Sequence, residues 1–151
     1  MKIFCFDPGE HTGYGVLEVY GAFGDDPARY IRPLHSGVWV AEPANIAVKA
    51  HSLLAEHRSD EAVFVIEKFT AGAGGEMQSL TNRVIGALEA VAVLDHRVKD
   101  CYLQPNFMRT RALPMAKTFD SQRHAVDAIA HGIIWATKHT AFKLADSANR
   151  T

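Results

Sequence analysis

The chain has 151 residues and a mass of 16.6 kDa, enough to bury a core without staples. Its apolar fraction of 48% and charged fraction of 22% exclude general disorder or a fibrous repeat, and no apolar run reaches the roughly 18 residues of a membrane span. Net charge is −1, unevenly divided: residues 1–75 carry 6 basic and 10 acidic side chains, residues 76–151 carry 10 and 7, so a basic face for nucleic acid is neither demanded nor excluded.

Met1 to Phe6 is a short apolar run stopped by Asp7-Pro8-Gly9, which predicts a buried strand ending in a turn. The acid at position seven comes too early for the apolar region of a signal peptide, so a cytoplasmic protein is expected. Thr12 to Tyr20 alternates as a second strand, residues 21–27 form a loop, and Tyr30 to Ala41 returns as a third strand of an antiparallel meander. Glu42-Pro43 opens a helix whose apolar face is Ile46, Ala50, Leu53, Leu54 and His57. Ala62 to Ile66 is a continuous apolar run that suits a central strand, stopping at Glu67.

Residues 71–75 are a glycine-rich connector without the Gly-Lys-Ser/Thr ending of a phosphate-binding loop. Glu76 to Arg97 reads as a long helix, apolar nearly all round in its second half, and the surplus apolar side raises a homodimer contact as a possibility. Asp100 to Gln104 is a fifth strand, residues 105–119 are irregular and basic, and Asp120 or Ser121 can cap a last helix running to about Phe142. Cys5 and Cys101 both lie in strand-like segments and read as reduced core residues. The order β-β-β-α-β-α-β-α predicts an α/β fold in one domain, residues 1–151, with a five-stranded mixed sheet of three antiparallel strands followed by two parallel ones.

Asp7 and Glu67 each follow a buried strand, so both carboxylates emerge at strand C-terminal edges, where ligands of open α/β sheets bind. His124 and Asp127 lie three apart and share a helix face. If that helix crosses the same edge, the four converge. Taken singly, Asp7 reads as a turn residue, Glu67 as a solvated acid and His131 as a core or helix-face histidine. Taken together, clustered carboxylates repel and need a cation; oxygen-rich ligands select Mg²⁺ or Mn²⁺, and one imidazole favours Mn²⁺. Two such ions about 4 Å apart form the clamp used in phosphodiester hydrolysis.

Asp7-Pro8-Gly9-Glu10-His11-Thr12-Gly13-Tyr14-Gly15-Val16 resembles the opening of the RuvC-type Holliday junction resolvases, in the RNase H-like (retroviral integrase) superfamily. Val65-Ile66-Glu67-Lys68-Phe69 and His124-Ala125-Val126-Asp127-Ala128-Ile129-Ala130 resemble that family's second acidic strand and closing acidic helix, in the same order over essentially the whole chain. The resemblance implies an RNase H-like fold and a dimeric endonuclease that nicks two opposed strands of a four-way DNA junction, leaving 5′-phosphate and 3′-hydroxyl ends. It implies Asp7, Glu67 and Asp127 as catalytic acids and metal ligands for two ions, with His124 as a further ligand or proton-transfer group. It places Phe69 in a loop whose aromatic stacks on junction bases, one residue short of the usual offset, and Arg109 near a basic residue that reaches the scissile phosphate. Thr12, Lys68, Arg111 and Lys117 join these as expected DNA contacts. The segment between the fifth strand and His124 is shorter than in cellular members, and the chain is less basic than a junction binder suggests.

Alternatives belong to other classes. The same metal site could serve flaps, forks or RNA, because substrate choice lies in the DNA-binding surface and dimer geometry. A nucleotide-binding protein of the actin and sugar-kinase type shares the Asp-x-Gly hairpin but needs a second similar domain. A non-catalytic junction-binding module is disfavoured by the presence of all four candidate ligands.

Overall fold

The structure is a computed structural model that describes residues 1–20, 29–68 and 76–148, with the side chains of 76–78 and 140–148 outside the description. Strands β1 (Lys2–Asp7), β2 (His11–Val19) and β3 (Ile31–Val40) precede helix α1 (Pro43–Glu56). Then come β4 (Ala62–Lys68), α2 (Glu76–Leu94), β5 (Val98–Pro105), a 3-10 turn (Asn106–Ala112), the short α3 (Leu113–Ala116) and the long α4 (Arg123–Ala148). The sheet order is β3-β2-β1-β4-β5, with β1 antiparallel to β2, β2 antiparallel to β3, and β4 parallel to both β1 and β5. This is the expected mixed five-stranded sheet.

Strand periodicity sorts the core into two layers. Ile3, Cys5, Leu17, Val63 and Val65 point to one face and pack against Ile129, Ile133 and Trp135 of α4. Phe4, Phe6, Val16, Phe64 and Ile66 point to the other and pack against α1 and α2. By the same alternation, Asp7 continues the row of Ile3 and Cys5, and Glu67 that of Val63 and Val65. Both acids therefore lie on the α4 face. Phe6 pairs with Ile66, so the two acids leave the sheet side by side on neighbouring strands.

Three glycines let α4 lie directly on the sheet. A Cβ on Gly13 would stand 1.9 Å from the carbonyl oxygen of His124 and 2.8 Å from the Ala125 nitrogen. A Cβ on Gly15 would meet Ile129 at 2.7 Å, and one on Gly132 would meet Leu17 at 2.8 Å. The absence of side chains here sets the height of α4 above β1 and β2.

Several expectations are corrected. Residues 105–119 are ordered into the 3-10 turn and α3, because Met108, Ala112, Met115 and Ala116 are spaced to pack against α4. Helix α2 stops at Leu94, since the Asp95 carboxylate accepts from the Arg97 amide at 3.0 Å and its guanidinium at 2.6 Å, a turn that leads directly into β5. Asp120 accepts from the Gln122 amide at 2.8 Å but lies outside α4, which begins at Arg123 and runs past Phe142 to Ala148. Cys5 is buried as expected, its thiol pushed up to about 12 by burial, whereas Cys101 on the edge strand β5 is exposed. Helix α2 buries Val84, Ile85, Leu88, Val91 and Ala92 but leaves Val93 and Leu94 exposed, at 83% and 84%.

Gly13→Ala should therefore lower stability by about 1–3 kcal/mol, because the backbone of α4 must be displaced. Gly86→Ala, in α2 with open space around it, should stabilise by about 0.5–1 kcal/mol. Denaturant titration of the two variants checks both signs, and equal effects would remove the seam's special role.

Candidate active site

The four expected ligands are brought to one edge by three elements. Asp7 ends β1, Glu67 lies near the end of β4, and the first two turns of α4 carry His124 and Asp127. His124 Nδ1 lies 3.0 Å from Asp7 Oδ2, and the His11 ring stacks over His124 with centroids 6.1 Å apart. A hollow of about 340 Å³ opens beside Asp7 and His124, bordered by Gly9, His11 and Thr81.

Arg109 occupies the middle of the cluster. Its Nη1 donates to both Glu67 oxygens, at 3.0 and 2.8 Å, and its Nε lies 3.6 Å from Asp127 Oδ1. The 3-10 turn after β5 carries this guanidinium back over the sheet edge. From the other side, fully buried His131 places Nε2 3.0 Å from Glu67 Oε2, and Gln104 Nε2 lies 2.9 Å from His131 Nδ1.

These contacts divide the carboxylates electrostatically. Burial pushes Asp7 up to about 8, reinforced by the charges of Glu67 and Asp127, with Arg109 only partly compensating. Burial alone would also raise Glu67. The His131 hydrogen bond and the Arg109 guanidinium reverse this and hold it below the usual carboxylate range. The surroundings therefore favour the protonated form of Asp7 and the charged form of Glu67.

The donor set suits a hard divalent cation: three carboxylates and one imidazole, with a guanidinium already attracted to the same place. Among the described residues, however, no three His, Cys, Asp or Glu side chains form a ready-made metal cage. Arg109 stands between Glu67 and Asp127, so an ion would have to displace it.

The expected DNA contacts are placed unequally. Lys68, Arg111 and Lys117 are exposed. Thr12 is a correction: it is fully buried, and its hydroxyl donates to the Gly9 carbonyl at 3.0 Å, so it shapes the β1–β2 turn rather than a binding surface. Arg109 is turned onto the acids, because its half-buried position is far better neutralised there than left without a counter-charge. Phe69 lies outside the described residues. His131 and Gln104 were missed as site residues. His131 follows Asp127 by four and His124 by seven, the same helical face, and this was the available signal.

No family model and no curated sequence matches the chain. Among solved structures, Thermus thermophilus RuvC is similar with a TM-score of 0.72 at 20% identity, over 93% of this chain and 98% of that one. T. thermophilus RuvC in complex with a Holliday junction substrate gives a TM-score of 0.72 at 18% identity, over 93% and 97%. The yeast mitochondrial Holliday junction resolvase Ydc2 is a looser likeness, with a TM-score of 0.47 at 11% identity, over 87% of this chain and 62% of that one. The architecture is thus an RNase H-like α/β fold. Within that class, it is the fold of RuvC.

Two predictions follow from the charges. Between about 3.8 and about 8 the folded state holds a proton on Asp7 that the unfolded chain releases, so metal-free stability falls as pH rises through that window. Asp7→Asn should raise the metal-free Tm at pH about 8, by roughly 2–4 °C for each kcal/mol recovered, and do little near pH 4, as differential scanning fluorimetry would read. Arg109→Gln leaves Glu67 and Asp127 without their cation and should cost the metal-free protein about 1–3 kcal/mol. The same variant should bind Mn²⁺ more tightly in calorimetry; unchanged affinity would mean that Arg109 does not compete with the ion.

Proposed function

We propose that the chain is a metal-dependent, structure-selective DNA endonuclease that resolves four-way junctions by paired symmetric nicks. The observation that carries this reading is the convergence of Asp7, Glu67, Asp127 and His124 at one sheet edge, on a fold shared with a RuvC that binds a Holliday junction. On this reading residues 1–151 act as one nuclease domain in the cytoplasm. Among the described residues no helix is long and apolar enough to cross a membrane.

Asp7, Glu67 and Asp127, with His124, would hold Mg²⁺ or Mn²⁺, two ions in the full site. Bound there, such ions make the attacking water more acidic and stabilise the leaving oxygen. Each protein group has a distinct part. Asp7 would hold the cation as a carboxylate, with the His124 ring beside its Oδ2 orienting it. Arg109, freed from Glu67 and Asp127, would turn to the scissile phosphate and exchange carboxylate oxygens for phosphate oxygens. Lys68, Arg111 and Lys117, exposed in the structure, would follow the DNA backbone, and Phe69 would stack on an unpaired base.

A homodimer is part of the proposal, since a two-fold pair of sites matches a two-fold junction. It is supported by the apolar face where Val48 and Leu94 stand exposed around a hollow of about 600 Å³ between α1 and α2, with Val93 exposed further round α2.

The test is incubation of the full chain with a labelled synthetic four-way junction and matched duplex, flap and fork DNA, in Mg²⁺, Mn²⁺ or EDTA, with sedimentation of the same preparation. Paired symmetric nicks from a dimer are expected, lost in EDTA and reduced on the order of a hundredfold or more by Asp7→Asn. Cleavage of flaps or forks instead would keep the metal site and discard the junction assignment. Tight junction binding without cleavage would make the chain a binding module.

A further inference from the structure

His131 is fully buried, and both of its ring nitrogens are engaged. The Gln104 side-chain nitrogen lies 2.9 Å from His131 Nδ1 and 3.1 Å from the His131 carbonyl oxygen. A backbone carbonyl can only accept, so the amide edge facing it is the NH₂ and not the oxygen. The second hydrogen of that NH₂ then falls to Nδ1, which accepts it and carries no proton. The ring proton sits on Nε2, aimed at Glu67 Oε2 3.0 Å away. Gln104 is itself buried and lies opposite Glu67 in the β4–β5 register, so strand pairing places the amide beside the ring it sets.

Glu67 thus receives two kinds of donor. Arg109 approaches from the partly exposed side and touches both oxygens. His131 approaches from the interior, touches Oε2 only, and has no route to solvent. A cation or a DNA phosphate can draw Arg109 away, but neither can move His131.

The geometry points to His131 and Gln104 as a fixed donor pair that positions Glu67: Oε2 stays bound to His131 while Oε1 is presented to the incoming divalent cation. His131 is a positioning residue, since it touches neither ion nor DNA, and the pair rests on the reading of this cluster as a metal-dependent nuclease site. Hydrogen bonds to ligating carboxylates typically govern metal affinity or activity by 10–100-fold. Carboxylate ligands that keep both oxygens free can turn or chelate, whereas one held oxygen gives a single approach.

The experiment uses the full chain with His131→Phe, His131→Gln and Gln104→Met, and Mn²⁺ alone as the first probe. Free Mn²⁺ is read by electron paramagnetic resonance, and junction cleavage is then measured for kcat and KM. His131→Phe should weaken Mn²⁺ binding about 10–100-fold and lower kcat with little change in KM for DNA. His131→Gln keeps an N–H near the Nε2 position and should restore most of the loss. Gln104→Met removes the donor that fixes Nδ1 as an acceptor, so the ring should be held less firmly: the wild-type Nε2–H signal in ¹⁵N spectra should weaken or broaden, and Mn²⁺ binding should weaken with it.

A folded His131→Phe variant that binds Mn²⁺ like wild type would overturn the inference, as would a wild-type spectrum with the proton on Nδ1. If His131→Phe does not fold, the His131→Gln and Gln104→Met measurements and the wild-type spectrum still decide it. Weakened Mn²⁺ binding in a protein that cuts no DNA would uphold the positioning pair and reject the nuclease reading. Normal Mn²⁺ binding and cleavage in His131→Phe would do the reverse.

Discussion

The contact of the α4 backbone with Gly13 is what the candidate site depends on. With 1.9 Å between a hypothetical Cβ and the His124 carbonyl, no larger residue fits without moving the helix. The first turn of α4 therefore rests on β2 directly opposite Asp7, which pairs with Gly13 across the hairpin. This close approach brings His124 within hydrogen-bonding distance of Asp7 and sets Asp127 toward Glu67. Gly15 and Gly132 repeat the arrangement further along, over the thiol of Cys5, so the helix is held parallel to the sheet and not only at its tip. Position here is a packing result. Electrostatics alone would push these carboxylates apart.

The opposition is managed by groups of different permanence. Burial favours the protonated form of Asp7, neighbouring donors favour the charged form of Glu67, and Arg109 spans Glu67 and Asp127. A buried imidazole completes the set from below. The cluster has an exchangeable counter-charge on its open side and a fixed donor on its closed side. Such a division lets the open side be rebuilt around a ligand while the carboxylate framework stays where folding put it. Among the described residues the donors form no preformed cage, and the guanidinium lies against two of the carboxylates.

The apolar runs and their stopping points made the sheet legible from sequence, because a period of two and a continuous run both survive any detail of packing. Asp7 and Glu67 were legible for the same reason, as polar ends of buried strands, and His124 and Asp127 as one helix face. What was not legible depended on where an irregular segment turns. Arg109 sits in a 3-10 turn whose path is fixed by Met108, Ala112 and Met115 docking on α4, contacts that no local pattern specifies. Gln104 gains its meaning only from the β4–β5 register, and His131 only from being opposite Glu67. Thr12 misled because a hydroxyl next to a turn can face either solvent or the backbone, and here it serves Gly9. Cys101 misled because β5 is an edge strand, with one face left open.

The order of the acids along the chain has a consequence for synthesis. Asp7 and Glu67 leave the ribosome before His124, Asp127 and His131, which all arrive with α4. A nascent chain can pair β1 with β2 and β4 and still hold only two carboxylates, without their buried imidazole. The cluster comes into being when α4 closes over Gly13, so whatever chemistry it performs is withheld until that helix has been made and docked.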